Sequence, residues 1–341
     1  MVLIGHAFSF NFGFHLVGYM ASFGVLIFFF ISGYLIAGSA QRTRASGNGF
    51  KQYFIDRFAR IYSAFIPSLI LIAAIDLYYV SAFGLQEHVN AATITVRYFI
   101  SNLFMLQNSP AMNGLMNEFV LGSKQFGSGR PLWTLSFEWW LYMSFGMIYF
   151  FRSRIFEWKW LLLFCFVAFV PISNMMALSK YSGGLTLVWV LGSLLWFSRP
   201  YWSKIEKSWA KRVAVLATGL ASVDFAATAF IGRPFNVYDL NFMIVISIAL
   251  TAILISSSKN RSEANTQTTT ISKFLADYSY TLYLIHYSII YLLIKILDDY
   301  PKVAVFVACI ILSNIVALTL SMFTEARHKD LARLLRKRTN P

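Results

Sequence analysis

Charge is what this chain has least of. Only 13% of its residues are Asp, Glu, Lys or Arg, where soluble domains carry about 25%. That scarcity excludes an ordinary soluble domain. It also excludes a nucleic-acid binder, which needs a densely charged surface. Cysteine is nearly missing: Cys165 and Cys309 both lie in apolar runs, which leaves neither a disulfide framework nor a cysteine-zinc site. Acidic residues are the scarcer sign, 15 against 29 Lys and Arg, for a net charge of +14. No internal repeat is visible. No basic leader precedes the first apolar run, so a cleavable signal peptide is not expected.

What the chain does have is apolar bulk. Hydrophobic residues make up 57% and aromatics 18%, with 33 Phe, 18 Tyr and 9 Trp among 341 residues. Disordered chains are poor in aromatics, so this one folds. A membrane-spanning helix needs about 20 mostly apolar residues. Such runs fall near 18–38, 61–80, 131–151, 160–178, 182–198, 212–231, 239–257, 275–297 and 303–324. Residues 1–9 read as the second half of a further helix. The runs are continuous rather than alternating, which argues against a β-barrel. The expected fold is all-α and polytopic: about ten transmembrane helices, the first one cut short. One membrane domain would cover 1–330, with a basic tail at 331–341. The run 91–106 contains Arg97 and is broken by polar residues; it reads as an interfacial helix in a long external loop.

The basic residues predict the topology. Loops 39–60, 152–159, 198–212, 258–274 and 325–341 hold 22 of the 29. Positive loops stay in the cytoplasm, so these loops and the C-terminus are expected inside. The plain reading of the tail, with Arg333, Arg336, Lys337 and Arg338, is a stop-transfer and anionic-lipid anchor.

Ionisable groups within a bilayer are costly, and they are functional or paired. Glu138 lies seven residues into its run, about 10 Å below the outer face at 1.5 Å per residue. Thr134, Glu138 and Tyr142 fall on one helical stripe. A structural carboxylate bonded to a neighbouring helix would look the same. Ser279, Tyr283 and His286 share a second stripe, which also suits a helix–helix hydrogen bond. Haem ligation by His6 and His286 lacks the two-haem pattern. His6 sits near the outer end of the first partial run, and a neutral imidazole there can serve as a general base. Asp76, Asp224 and Asp277 lie near span ends, where solvation or pairing explains them. Arg57 and Arg60, three apart at the cytoplasmic surface, could clamp phosphates or anchor topology.

Five segments carry a resemblance. FGVLIFFFISGYLIAGS at 23–39, FIDRFARIYSAF at 54–65, PLWTLSFEWWLY at 131–142, LADYSYTLYLIHYSI at 275–289 and FTEARHK at 323–329 are similar, in order, to segments of acyltransferase family 3. That family comprises bacterial membrane enzymes that O-acylate envelope polysaccharides and related acceptors. The resemblance implies a multi-pass protein of the bacterial inner membrane that moves an acyl group, acetyl by preference, from cytoplasmic acyl-CoA to an acceptor hydroxyl on the far side. It permits no bound cofactor and no metal, with acyl-CoA as co-substrate, a polysaccharide or glycolipid as acceptor, and no nucleic acid. His6 and Glu138 are then the catalytic residues, with His6 as base or transient acyl carrier and Glu138 orienting that base or binding the acceptor sugar. Arg57 and Arg60 hold the CoA phosphates, and Trp133, Tyr283 and His286 contact substrate. Ser32–Gly33 permits close helix packing.

Some positions depart from the pattern. The arginine that the family carries about ten residues before its first-helix histidine has no counterpart before His6. Asp56, Ser63 and Arg327 replace an arginine and two prolines. The alternative function is a transporter or flippase of a saccharide-type substrate. It predicts flux without acyl-CoA, and the internal repeat common in transporters is missing.

Overall fold

A chain this apolar must satisfy its backbone within each segment, and helices do so. The computed structural model describes residues 1–13, 15–88, 90–107, 124–153, 157–176, 184–231, 236–258 and 266–339. Among them the regular structure is helical throughout, with no strand. The expected span ends at 177–178 and 182–183, and the loop cations Arg154, Lys259 and Arg261, lie outside the described residues.

Twelve α-helices are described. They are α1 (Val2–Phe12), α2 (His15–Ala45), α3 (Phe50–Phe83), α4 (Val96–Leu103), α5 (Leu132–Phe151) and α6 (Trp158–Met176). They continue with α7 (Leu185–Ser198), α8 (Lys207–Ile231), α9 (Leu240–Ser257), α10 (Thr266–Ile296), α11 (Lys302–Phe323) and α12 (His328–Thr339). Every apolar run read from the sequence is therefore a helix. Five stretches are long and apolar enough to cross a membrane: Tyr19–Ala45, Phe50–Phe83, Leu240–Ser257, Phe274–Ile296 and Lys302–Arg338. The protein is thus an all-helical membrane protein, and among the described residues these five are the candidate spans by length and composition. The run 91–106 gives only the eight-residue α4, capped by the Thr95 side chain. At about 12 Å it is too short to cross.

Large apolar side chains cover the outside: Ile70, Leu77, Val215, Leu216, Ile311 and Ile315 are each more than half exposed. Such a surface suits lipid rather than water. The centre is α5, where Leu132, Thr134, Leu135, Ser136, Phe137, Glu138 and the seven residues after it except Phe145 are buried. Helix α5 is enclosed by α2, α3 and α6; α2 also packs on α7, and α10 on both α3 and α11.

The crossing of α2 and α7 is set by glycine. A Cβ on Gly33 would stand 2.0 Å from the Trp189 carbonyl oxygen, and one on Gly192 would stand 2.0 Å from the Phe30 carbonyl oxygen. Only two hydrogen-for-methyl positions let these backbones touch. The Ser32–Gly33 expectation is met, and Gly192 is its partner across the contact.

At one end of the bundle, α2 finishes with Arg42 and Arg44, α3 begins, and α12 lies against α3 through Ile55, Ala59 and Ala332. Arg336 of α12 pairs with Asp56 of α3. At the other end, the described residues 84–88, 90–107 and 124–131 lie over α3. Asp76, fully buried, takes hydrogen bonds from the Ser128 amide (2.9 Å) and His88 Nε2 (3.0 Å). His88 Nδ1 accepts from the Asn90 amide at 3.1 Å. Pairing, the plain reading of Asp76, is what the structure holds.

Candidate active site

The stripe on α5 turns inward because neighbours fill it. Thr134 and Tyr283 of α10 share a hydrogen bond of 2.6 Å. One turn on, Glu138 is 4% exposed. Its Oε1 accepts from Ser32 Oγ at 3.1 Å and from the Tyr142 hydroxyl. Ser32 Oγ also lies 2.7 Å from the Tyr142 hydroxyl and accepts from Trp189 Nε1 at 3.3 Å. The Tyr142 carbonyl in turn accepts from the Tyr53 hydroxyl at 2.9 Å. A carboxylate in a bundle core thus has hydroxyl donors from α2 and α5, as a buried acceptor requires.

One face of α10 presents Tyr283, His286 and Tyr287. His286 is 1% exposed, and its ring meets His6 of α1 with centroids 5.4 Å apart and planes inclined by 26°. His6 also sits at the edge of Tyr287, at 5.3 Å. The guanidinium of Arg130 lies over the same Tyr287 ring at 5.9 Å and donates to its hydroxyl at 3.4 Å. His286 Nδ1 is 2.8 Å from the Tyr283 carbonyl oxygen and 3.1 Å from that of Leu282. A carbonyl oxygen only accepts, so Nδ1 carries the hydrogen and Nε2 a lone pair. That Nε2 is buried and has no hydrogen-bond partner.

Ser279 does not belong to this face. It is exposed and bonds only to the Ala276 carbonyl, at 3.3 Å. Spacings of four and three bring residues to one stripe but do not choose which part of the stripe is covered.

The arginines form a third cluster. Arg60 pairs with Glu325 at 2.9 Å; the Glu325 side chain is fully buried and that of Arg60 is 36% exposed. Glu325 Oε2 also accepts from the Thr281 amide (3.0 Å) and hydroxyl (2.9 Å). Arg60 sits 5.8 Å from the Tyr280 ring. Arg57 donates to Ser39 at 3.3 Å, with its Nε buried and unpartnered. Trp133 is half-buried against the core. So the structure brings His6 to His286, Tyr283 to Thr134, and Arg60 to Glu325. No hydrogen bond joins His6 to Glu138, whose carboxylate is bound to Ser32 and Tyr142 instead. Sequence reading placed Tyr142 beside Glu138 but missed Ser32 as a donor to Glu138 and Glu325 as the counter-ion of Arg60. Glu325 lay within a quoted segment, FTEARHK, and was the one acid in it. Among the described residues, no three His, Cys, Asp or Glu side chains gather as a metal site would need.

The three clusters occur in order along α10: Thr281 near the arginines, Tyr283 near Thr134, and His286 with His6. Thr281 and His286 are separated by about 7 Å along the axis. The His6–His286 contact, the Thr134–Tyr283 hydrogen bond and the Arg60–Glu325 pair thus follow one another along one seam of α10. The family model described as an acyltransferase domain matches residues 1–322. The chain belongs to acyltransferase family 3. No curated protein and no solved structure matches it. Membership of acyltransferase family 3 makes the chain a membrane acyltransferase.

Proposed function

We propose that the protein transfers an acyl group, acetyl by preference, from cytoplasmic acyl-CoA to a hydroxyl of an envelope or exported polysaccharide. In this reading the bundle crosses the bacterial inner membrane about ten times, with the Arg57–Arg60 end and the C-terminus in the cytoplasm. The observation that carries it is the pairing of His6 with His286 on the same seam that leads to Arg60, in a chain of this acyltransferase family.

Arg57 and Arg60 hold the CoA phosphates. The thioester arm follows the seam past Glu138. The acceptor oxygen attacks the thioester carbonyl carbon, the carbon–sulfur bond breaks, and the hydroxyl proton passes to His6. His6 returns it to the leaving thiolate, so the products are the ester and free CoA. Glu138, oriented by Ser32 and Tyr142, accepts a hydrogen bond from substrate, and Trp133 and Tyr283 line the path. General-base help of this kind contributes roughly 10²–10⁴ in rate. The test is His6→Ala in cells, read by mass analysis of envelope glycans. Loss of the acyl mass is expected; full retention removes His6 from the chemistry.

A further inference from the structure

A base works only if its tautomer and direction are set, and a third group does this in most nucleophile–base systems. Among the described residues His6 has no hydrogen-bonded neighbour that would set either. Its ring lies against the rings of His286 and Tyr287. Beside it stands a buried acceptor with nothing to accept: His286 Nε2. The other nitrogen of His286 is anchored on two backbone carbonyls, so this ring can neither donate through Nε2 nor turn freely. An orphaned buried acceptor costs free energy and calls for an explanation.

We propose that His286 is the positioning residue of the site: its Nε2 accepts a hydrogen bond from His6 when substrate is bound, and fixes which His6 nitrogen faces the acceptor hydroxyl. The separation is already right. Two imidazoles joined by a linear N–H···N bond of about 2.9 Å have centroids roughly 5 Å apart, and these stand at 5.4 Å. In the proposed arrangement the His6 ring leaves its near-parallel stacking on His286, now inclined by 26°, and turns until one N–H points along the Nε2 lone pair. Catalytic hydrogen bonds are often unmade in the empty site and tighten only with substrate. With one nitrogen of His6 donating to His286, the other presents its lone pair to the acceptor hydroxyl. The imidazolium formed as His6 takes the proton is then stabilised by the neutral imidazole behind it. This assignment rests on the proposed role of His6.

Two substitutions separate positioning from simple support. His286→Asn keeps an N–H for the Leu282 and Tyr283 carbonyls but has no atom where Nε2 was. His286→Gln loses that anchor but can place an amide oxygen near the Nε2 position, able to accept from His6. Purified protein in detergent is assayed with acetyl-CoA and glycan extracted from cells lacking the gene. Expected is a fall in kcat of about 100-fold for His286→Asn with acceptor KM within about twofold, and a kcat within about tenfold of the parent for His286→Gln. His286→Asn at parental kcat overturns the proposal, as do equal losses in the two variants at unchanged melting temperature. If His286→Asn fails to fold, His286→Gln decides alone: a loss as complete as that of His6→Ala refutes it. His6→Ala in the same assay keeps the two ideas apart. If it is inactive while His286→Asn is intact, only the positioning role fails. If it is fully active, the base assignment fails first.

Discussion

The contact between α2 and α7 offers the most direct test of how the bundle supports its site. In Gly33→Ala the added methyl would stand 2.0 Å from the Trp189 carbonyl oxygen, 2.9 Å from its carbon and 3.1 Å from the Ser193 nitrogen. All three are backbone atoms of a packed helix, so no side chain can swing aside. Reaching ordinary contact needs the helices to part by more than about 1 Å. Overpacking in a well-filled core costs about 1–3 kcal/mol, and a clash with backbone belongs at the upper end. The consequence extends to the site, because Ser32 precedes Gly33 and receives the Trp189 indole N–H at 3.3 Å. Parting the helices breaks that bond and moves the hydroxyl that donates to Glu138. The assay is thermal unfolding in detergent alongside acyl transfer. A melting temperature lower by several degrees, together with reduced kcat, is expected. Parental values for both would show that this crossing is not held by backbone contact. Gly192→Ala should reproduce the defect, since its methyl would meet the Phe30 carbonyl oxygen at 2.0 Å.

Two further outcomes concern the ends of the seam. Arg60→Ala strands the buried Glu325 carboxylate and should cost about 1–3 kcal/mol, less than a wholly enclosed pair because Arg60 is 36% exposed. Adding Glu325→Gln should recover most of the melting temperature but not acetyl-CoA binding; recovery of binding would make Arg60 a structural ion-pair partner only. Gly127→Ala places a methyl 1.8 Å from Asp76 Oδ2, at a residue whose φ is +48°. It should break the Asp76–Ser128 bond and speed limited proteolysis near residues 124–131, and an unchanged cleavage pattern would deny that this bond holds that stretch down.

Much of the fold could be read because membrane helices announce themselves locally: an apolar run of the right length is a helix wherever it docks. The stripe of Thr134, Glu138 and Tyr142 was legible for the same reason, since a spacing of four is a property of one helix. The partners were not. Ser32 meets Glu138 across 106 positions and Glu325 meets Thr281 across 44. No periodicity within one helix encodes which neighbour it faces. Ser279 shares the stripe of Tyr283 and His286 but is exposed, because equal spacing does not tell an exposed turn from a buried one. The neighbours of His6 and Glu138 make the same point: each is inward on its own helix, but His6 meets His286 and Glu138 meets Ser32 and Tyr142.

The Arg60–Glu325 pair also bears on how the molecule comes into being. A ribosome delivers α3 long before residue 325 exists, so Arg60 is in place while its counter-charge is still unsynthesised. The histidine contact is equally late, since His6 must wait for residue 286. Through most of synthesis the chain therefore holds separate polar groups rather than a site. Both closures arrive with the last helices, and insertion of α10 and α11 is the event that joins the first part of the chain to its end.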